Sequence, residues 1–241
     1  MSEDPPIFPD PKPTNHGRFE GPATEDDYLE AQKMDPRQVA KLRFQERSAT
    51  SALSEKESER YDDNTGLLFG PHFRAEANKV LKDLNPHERR QLAPNNAVIM
   101  SFDGKGLKLV NDVLGHANGD IMLGNIAAIL KAVARPGDVI GRLGDSSDEF
   151  GAIFFFRNDQ IEPEEMKKAI NERLLMLTQY AVKQNHVKGL RWSSTFFEPG
   201  NDIAYHLKKA DPVESINPGM VIEYPSKEIL PNRNEREAIA P

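Results

Sequence analysis

From Ala97 to Phe197 the apolar residues change period in a fixed order, and that order constrains the fold more than any other feature. Ala97–Phe102 reads AVIMSF, a continuous apolar run that fits a strand buried on both faces. Met122, Ile126, Ile129, Leu130 and Val133 recur at helical spacing and stop at Pro136-Gly137. Asp138–Leu143 and Glu149–Phe156 are strand-like runs joined by the polar loop from Gly144 to Asp148, a hairpin signature. Met166, Ile170, Leu174, Leu177 and Ala181 make another helical face, opened by Pro163-Glu164-Glu165 in a favourable first turn. Leu190–Phe197 closes the series as a strand. This βαββαβ order predicts an α+β fold with a ferredoxin-like, palm-type core: an antiparallel sheet with helices packed on one face. A short helix over Ile203–Ala210 and a last strand over Met220–Tyr224 are expected to follow.

The flanking segments have a different character. Residues 1–24 carry six prolines and almost no periodic apolar positions, which predicts an extended or disordered tail. Residues 25–60 contain no Gly, one Pro at Pro36 and interspersed charges, which predicts a solvated helical linker. The compact domain is expected over 61–225. It opens with the turn formers Asp62-Asp63-Asn64-Thr65-Gly66 and a helix carrying Phe73, Ala77, Val80, Leu81 and Leu84. Residues 226–241 read as a polar, flexible tail.

Composition removes several function classes. None of the 241 residues is cysteine, so disulfides, zinc–thiolate sites and thiol nucleophiles are excluded. A net charge of -7 argues against a general nucleic-acid or anionic-membrane binder, although a nucleotide pocket needs few cations. No apolar run is long enough for a membrane span, and the acidic, Pro-rich start MSEDPPIFPD has no signal-peptide profile. A cytoplasmic location is the expectation.

The chemistry concentrates at the strand ends. Asp103 stands where the first buried strand leaves the core, and the neighbouring hairpin carries Asp148 and Glu149. Singly, each reads as a solvated carboxylate. Converging on adjacent strand ends, they make a hard-oxygen site for Mg²⁺, which binds one or two carboxylates together with waters and substrate phosphates. The segment from Gly104 to Asp120 mixes glycines, Lys108, and Asn and Asp groups. Lys108 offers a point charge to a phosphate. Asn111 and Asp120 have the donors and acceptors to read a guanine edge, although such Gly/Asn/Asp clusters also read as plain turns.

The string Asn111-Asp112-x-x-Gly115-His116-x-x-Gly119-Asp120-x-x-Leu123, followed by Arg142-x-Gly144 and Asp148-Glu149-Phe150, resembles the GGDEF family of diguanylate cyclases. Asp62-x-x-Thr65-Gly66-Leu67 with Phe73 is similar to that family's opening motif. The resemblance implies Asp103 and Asp148 as ligands of Mg²⁺ (or Mn²⁺), with Asp148 and Glu149 as catalytic-site carboxylates. It implies Asn111 and Asp120 as the guanine-binding pair and Lys108 as a phosphate contact. In such enzymes two domains of a homodimer each hold one GTP. Metal-activated 3′-hydroxyls attack the partner's α-phosphate and cyclic di-GMP closes, with two-metal stabilisation of the attacking and leaving oxygens. Arg135-Pro136-Gly137-Asp138 matches the family's RxxD inhibitory motif, so Arg135 and Asp138 are the expected product site.

The departures from the family pattern are local. The signature loop reads Gly144-Asp145-Ser146-Ser147-Asp148-Glu149-Phe150, two residues longer than GGDEF and without its second glycine. Lys105 replaces the family's second aspartate and Leu107 its phenylalanine. Phe69-Gly70 replaces the Asn-Arg of the opening motif, and Ser194-Thr195-Phe196 the glycine-containing strand. Pro212 and Pro218 shorten the helix that carries a phosphate-binding lysine. The base-reading and metal residues persist while the phosphate cradle is eroded. The expectation is a degenerate domain that binds GTP or cyclic di-GMP with little or no turnover. The alternatives are an active diguanylate cyclase and a ligand-free dimerisation scaffold. The first 60 residues have no sensor signature and are candidates for a protein partner.

Overall fold

A computed structural model describes residues 24–33, 60–84, 94–144, 147–212 and 220–223. The expectations for the proline-rich tail (residues 1–23), most of the linker (residues 34–59) and the C-terminal tail lie outside the described residues. Strands are β1 (Leu68–Phe69), β2 (Asn96–Gly104), β3 (Val139–Arg142), β4 (Glu149–Phe156), β5 (Gly189–Phe196) and β6 (Met220–Glu223). Helices are α1 (Glu25–Lys33), α2 (Gly70–Lys82), α3 (Leu107–Leu114), α4 (His116–Val133), α5 (Pro163–Lys183) and α6 (Ile203–Lys209).

The strands form one sheet in the order β1-β3-β4-β2-β5-β6. Its inner four, β3-β4-β2-β5, are antiparallel neighbours joined as βαββαβ, the α+β palm-like core expected from the apolar pattern. Two details differ. The sheet is mixed, because β1 pairs with β3 in parallel. Helices also cover both faces rather than one. Val98, Met100 and Phe102 of β2 join the core under α4 and α5, while Ala97 and Ile99 join a second core under α2 and α6. Burial on both sides explains why β2 is continuously apolar instead of alternating. Phe73 of α2 is fully buried, and its ring lies over Gly141 and Gly151, which face each other across β3 and β4. Removing such a ring typically costs about 3–5 kcal/mol.

Two segments were legible in composition but not in shape. The Gly/Asn/Asp-rich stretch after β2 holds a helix, α3, and not a chain of turns. It ends at Gly115, whose φ of 85° turns the chain from α3 directly into α4. Helix α1 is solvated on one side and anchored on the other. Tyr28 is fully buried against the domain, and Gln32 donates to the Tyr28 hydroxyl at 3.0 Å and to Asn125 Oδ1 at 2.6 Å. The Tyr28 hydroxyl lies 3.2 Å from His186 Nδ1, and Asn125 Nδ2 donates to the His186 carbonyl at 2.9 Å. One aromatic anchor and a satisfied polar network therefore fasten a mostly polar helix onto α4 and the end of α5.

Candidate functional site

The central position of β2 makes the site. Its register pairs Asp103 with Glu149 on β4 and with Arg191 on β5. The next residue, Gly104, donates its N–H to the Asp148 carbonyl at 2.9 Å, which draws the hairpin against the strand end. Asp103, Asp148 and Glu149 therefore stand at neighbouring strand ends. Glu149 is exposed and Asp148 half-buried. Burial pushes the Asp148 carboxyl above its ordinary value, and the Asp103 charge adds to this. A backbone hydrogen bond, Lys105 and Arg142 oppose the rise.

Asp103 is already engaged. Arg191 Nη2 donates to its Oδ2 at 2.8 Å, and Lys105 Nζ lies 3.4 Å from the same oxygen. The Mg²⁺ or Mn²⁺ expected at Asp103 and Asp148 would have to displace both cations or share Asp103 with them. Among the described residues no three His, Cys, Asp or Glu side chains gather to hold a metal. Both cations hold Asp103 Oδ2, so a divalent ion would have to compete with them for that oxygen.

Asn111 and Asp120, the expected base-reading pair, sit on α3 and α4. Asn111 Oδ1 is buried with no hydrogen-bond partner. It presses against Gly119 of α4, where an added Cβ would lie 1.8 Å from it. Gly119 thus leaves the space that the Asn111 side-chain oxygen fills. Asp120, the next residue, is exposed and accepts from Asn64 Nδ2 at 2.9 Å. Lys108 is exposed on the first turn of α3.

The opening turn braces the hairpin. Arg142, buried at the end of β3, donates to Asp62 Oδ2 at 2.9 Å and, through Nε and Nη2, to the Ser147 carbonyl at 3.2 Å. The other Asp62 oxygen accepts from the Thr65 N–H and hydroxyl. Asp145 and Ser146, the middle of the lengthened loop, lie outside the described residues. The Arg135–Asp138 pair forms its own tight turn. Buried Asp138 accepts from the Arg135 N–H at 2.7 Å and from the Phe155 N–H at 3.0 Å. Arg135 Nη2 reaches the Phe155 carbonyl at 3.5 Å.

Sequence reasoning missed Arg191, Asn64 and the pairing of Asp62 with Arg142. One signal was present for Arg191: a lone charge inside the strand run Gly189–Phe196, two residues from nothing but apolar and hydroxyl neighbours. Its partner depended on β2–β5 register, which no local pattern supplies.

The family model described as "Diguanylate cyclase, GGDEF domain" matches residues 60–213. The chain belongs to the GGDEF domain family. Among curated relatives, diguanylate cyclase TpbB of Pseudomonas aeruginosa PAO1 is 37% identical over 93 residues, covering 39% of this chain and 20% of that protein. Diguanylate cyclase DgcZ of Escherichia coli K12 is 34% identical over 82 residues, 34% of this chain and 27% of that one. The chain spans about a fifth of the length of the first of these relatives. Among solved structures, the GGDEF domain of DgcB from Caulobacter crescentus in complex with c-di-GMP has a TM-score of 0.51 at 17% identity, covering 67% of this chain and 88% of that one. That likeness is one of fold. No helix among the described residues is long and apolar enough to cross a membrane.

Proposed function

We propose that this GGDEF domain belongs to cyclic di-GMP signalling and binds GTP or cyclic di-GMP with little or no turnover. The observation that carries the reading is the unpartnered, buried Asn111 Oδ1 beside Asp120. A buried acceptor without a donor is unfavourable by about 1–3 kcal/mol, and a guanine amino or ring N–H is a donor of the right kind. Asp120 keeps a second carboxylate oxygen for the same edge. Low turnover is supported by the compensated state of Asp103, whose charge is spent on Arg191 and Lys105. Within this reading Lys108 is the proposed exposed phosphate contact, and Glu149 and Asp148 are the carboxylates a cyclase would use. Arg135 and Asp138 remain the proposed second site for cyclic di-GMP. A homodimer is needed for synthesis but not for ligand binding. The N-terminal 60 residues, through α1, are the proposed face for a protein partner.

Calorimetry with GTP and with cyclic di-GMP, alongside mass spectrometry of a GTP incubation, tests this. Binding without cyclic di-GMP formation is the expected result. Steady production of cyclic di-GMP would make the domain a working cyclase, and no heat with either ligand would leave a scaffold. Gly119→Ala drives a methyl into Asn111 and is expected to weaken GTP binding at least about tenfold with the fold intact. Arg135→Ala is expected to weaken cyclic di-GMP and spare GTP.

A further inference from the structure

The strand-end cluster has a consequence that rests on the nucleotide-binding reading and goes beyond it. Asp103, Lys105 and Arg191 have side chains only 21%, 28% and 21% exposed, and both cations converge on one oxygen, Asp103 Oδ2. At that burial the charges are screened less than on open surface. Arg191 is the cross-strand partner of Asp103, so the strand register itself delivers the guanidinium to the carboxylate. Its Nε is buried and has no acceptor, leaving a donor of the same guanidinium unspent. Lys105 is held at the start of the loop into α3 by its N–H, which donates to the Gly189 carbonyl at 3.0 Å. Asn111 lies about 6 Å along α3 from Leu107, the helix's first residue, and Leu107 follows Lys105 closely in the chain, so a guanine read at Asn111 would direct its phosphates toward this end of the helix.

We propose that Lys105 and Arg191 take the place of a divalent cation, so that this domain binds the phosphates of a guanine nucleotide directly and without metal. Lys105 supplies a point charge and Arg191 a planar set of donors to the phosphate oxygens. Asp103 becomes a positioning residue that holds the two cations in place. A metal-bound nucleotide carries less negative charge than the free one, so Lys105 and Arg191 attract the free nucleotide more strongly.

The test is GTP binding by the full chain, measured calorimetrically in excess Mg²⁺ and again in EDTA. Affinity in EDTA equal to or tighter than in Mg²⁺ is the expected result. Lys105→Met, at a partly exposed position, is expected to weaken binding in EDTA about tenfold while the thermal unfolding curve stays cooperative. Binding that appears in Mg²⁺ and vanishes in EDTA would overturn this inference and leave the proposed function standing. Unchanged affinity of Lys105→Met in EDTA would also overturn it. Absence of GTP binding in both buffers would overturn the inference together with the nucleotide reading beneath it.

Discussion

Two aspartate–arginine pairs brace this domain with nearly the same geometry and very different surroundings. Arg142 meets Asp62 at 2.9 Å, with side chains 4% and 11% exposed. Arg191 meets Asp103 at 2.8 Å, with both side chains 21% exposed. The first pair is closed. Arg142 spends further donors on the Ser147 carbonyl, and Asp62 accepts from Thr65, so the ion pair is one part of a satisfied cluster linking the opening turn to the hairpin. The second pair is open on one side, shares its carboxylate with Lys105, and retains an unspent donor on Arg191. Distance alone would rank them equal. Burial and the state of the remaining donors separate a pair that holds the fold from one proposed to set the chemistry of a site.

That separation can be broken by mutation. Arg142→Met leaves a buried carboxylate uncompensated and is expected to reduce stability by about 3–5 kcal/mol in urea titrations. A double-mutant cycle with Asp62→Asn should then give a coupling energy of about 2 kcal/mol or more for the closed pair. Asp103→Asn with Arg191→Met should give about 1 kcal/mol or less, because that pair is partly solvated. Arg191→Met alone is expected to reduce stability by about 1 kcal/mol or less, its main effect falling on GTP affinity. Equal stability losses at Arg142 and Arg191 would erase the distinction.

The same contrast shows what a sequence can display. The βαββαβ order was legible because each element is written in a local period: Met166, Ile170, Leu174 and Leu177 for α5, the run AVIMSF for β2. Asp103, Asp148 and Glu149 were legible as neighbours because a hairpin and a central strand bring their ends together in that topology. The covering of the second sheet face was not, since Phe73 and Ile203 sit more than 100 residues apart and join one core only in three dimensions. Helix α3 was hidden because Gly104, Gly106 and Gly115 mask a short amphipathic stretch, Leu107 and Val110 being its two buried residues. Arg191 and Asn64 were hidden for a related reason. A hydrogen bond between side chains 88 or 56 positions apart leaves no trace in the spacing of either.

A neutral cluster marks the low end of the scale on which the two ion pairs differ. Tyr28, Gln32, Asn125 and His186 tie α1 to the domain without a formal charge. Burial raises the Tyr28 hydroxyl well above the ordinary phenol value, so it stays protonated, 3.2 Å from His186 Nδ1. Burial also holds the His186 imidazole below its ordinary value of 6.5. As pH falls through that value, the unfolded chain takes up the proton before the folded one does. The contribution of His186 to stability is therefore whole above 6.5 and is lost as the pH drops toward the lower, folded-state value. Thermal melts between about pH 7.5 and about pH 5.5, across the imidazole range, should show the wild type losing more stability on acidification than His186→Gln. The glutamine retains polar atoms at the Tyr28 hydroxyl without titrating. Parallel pH profiles for the two proteins would mean that protonation of His186 does not weaken the attachment of α1, leaving the Tyr28 ring and the Gln32–Asn125 hydrogen bond to hold it.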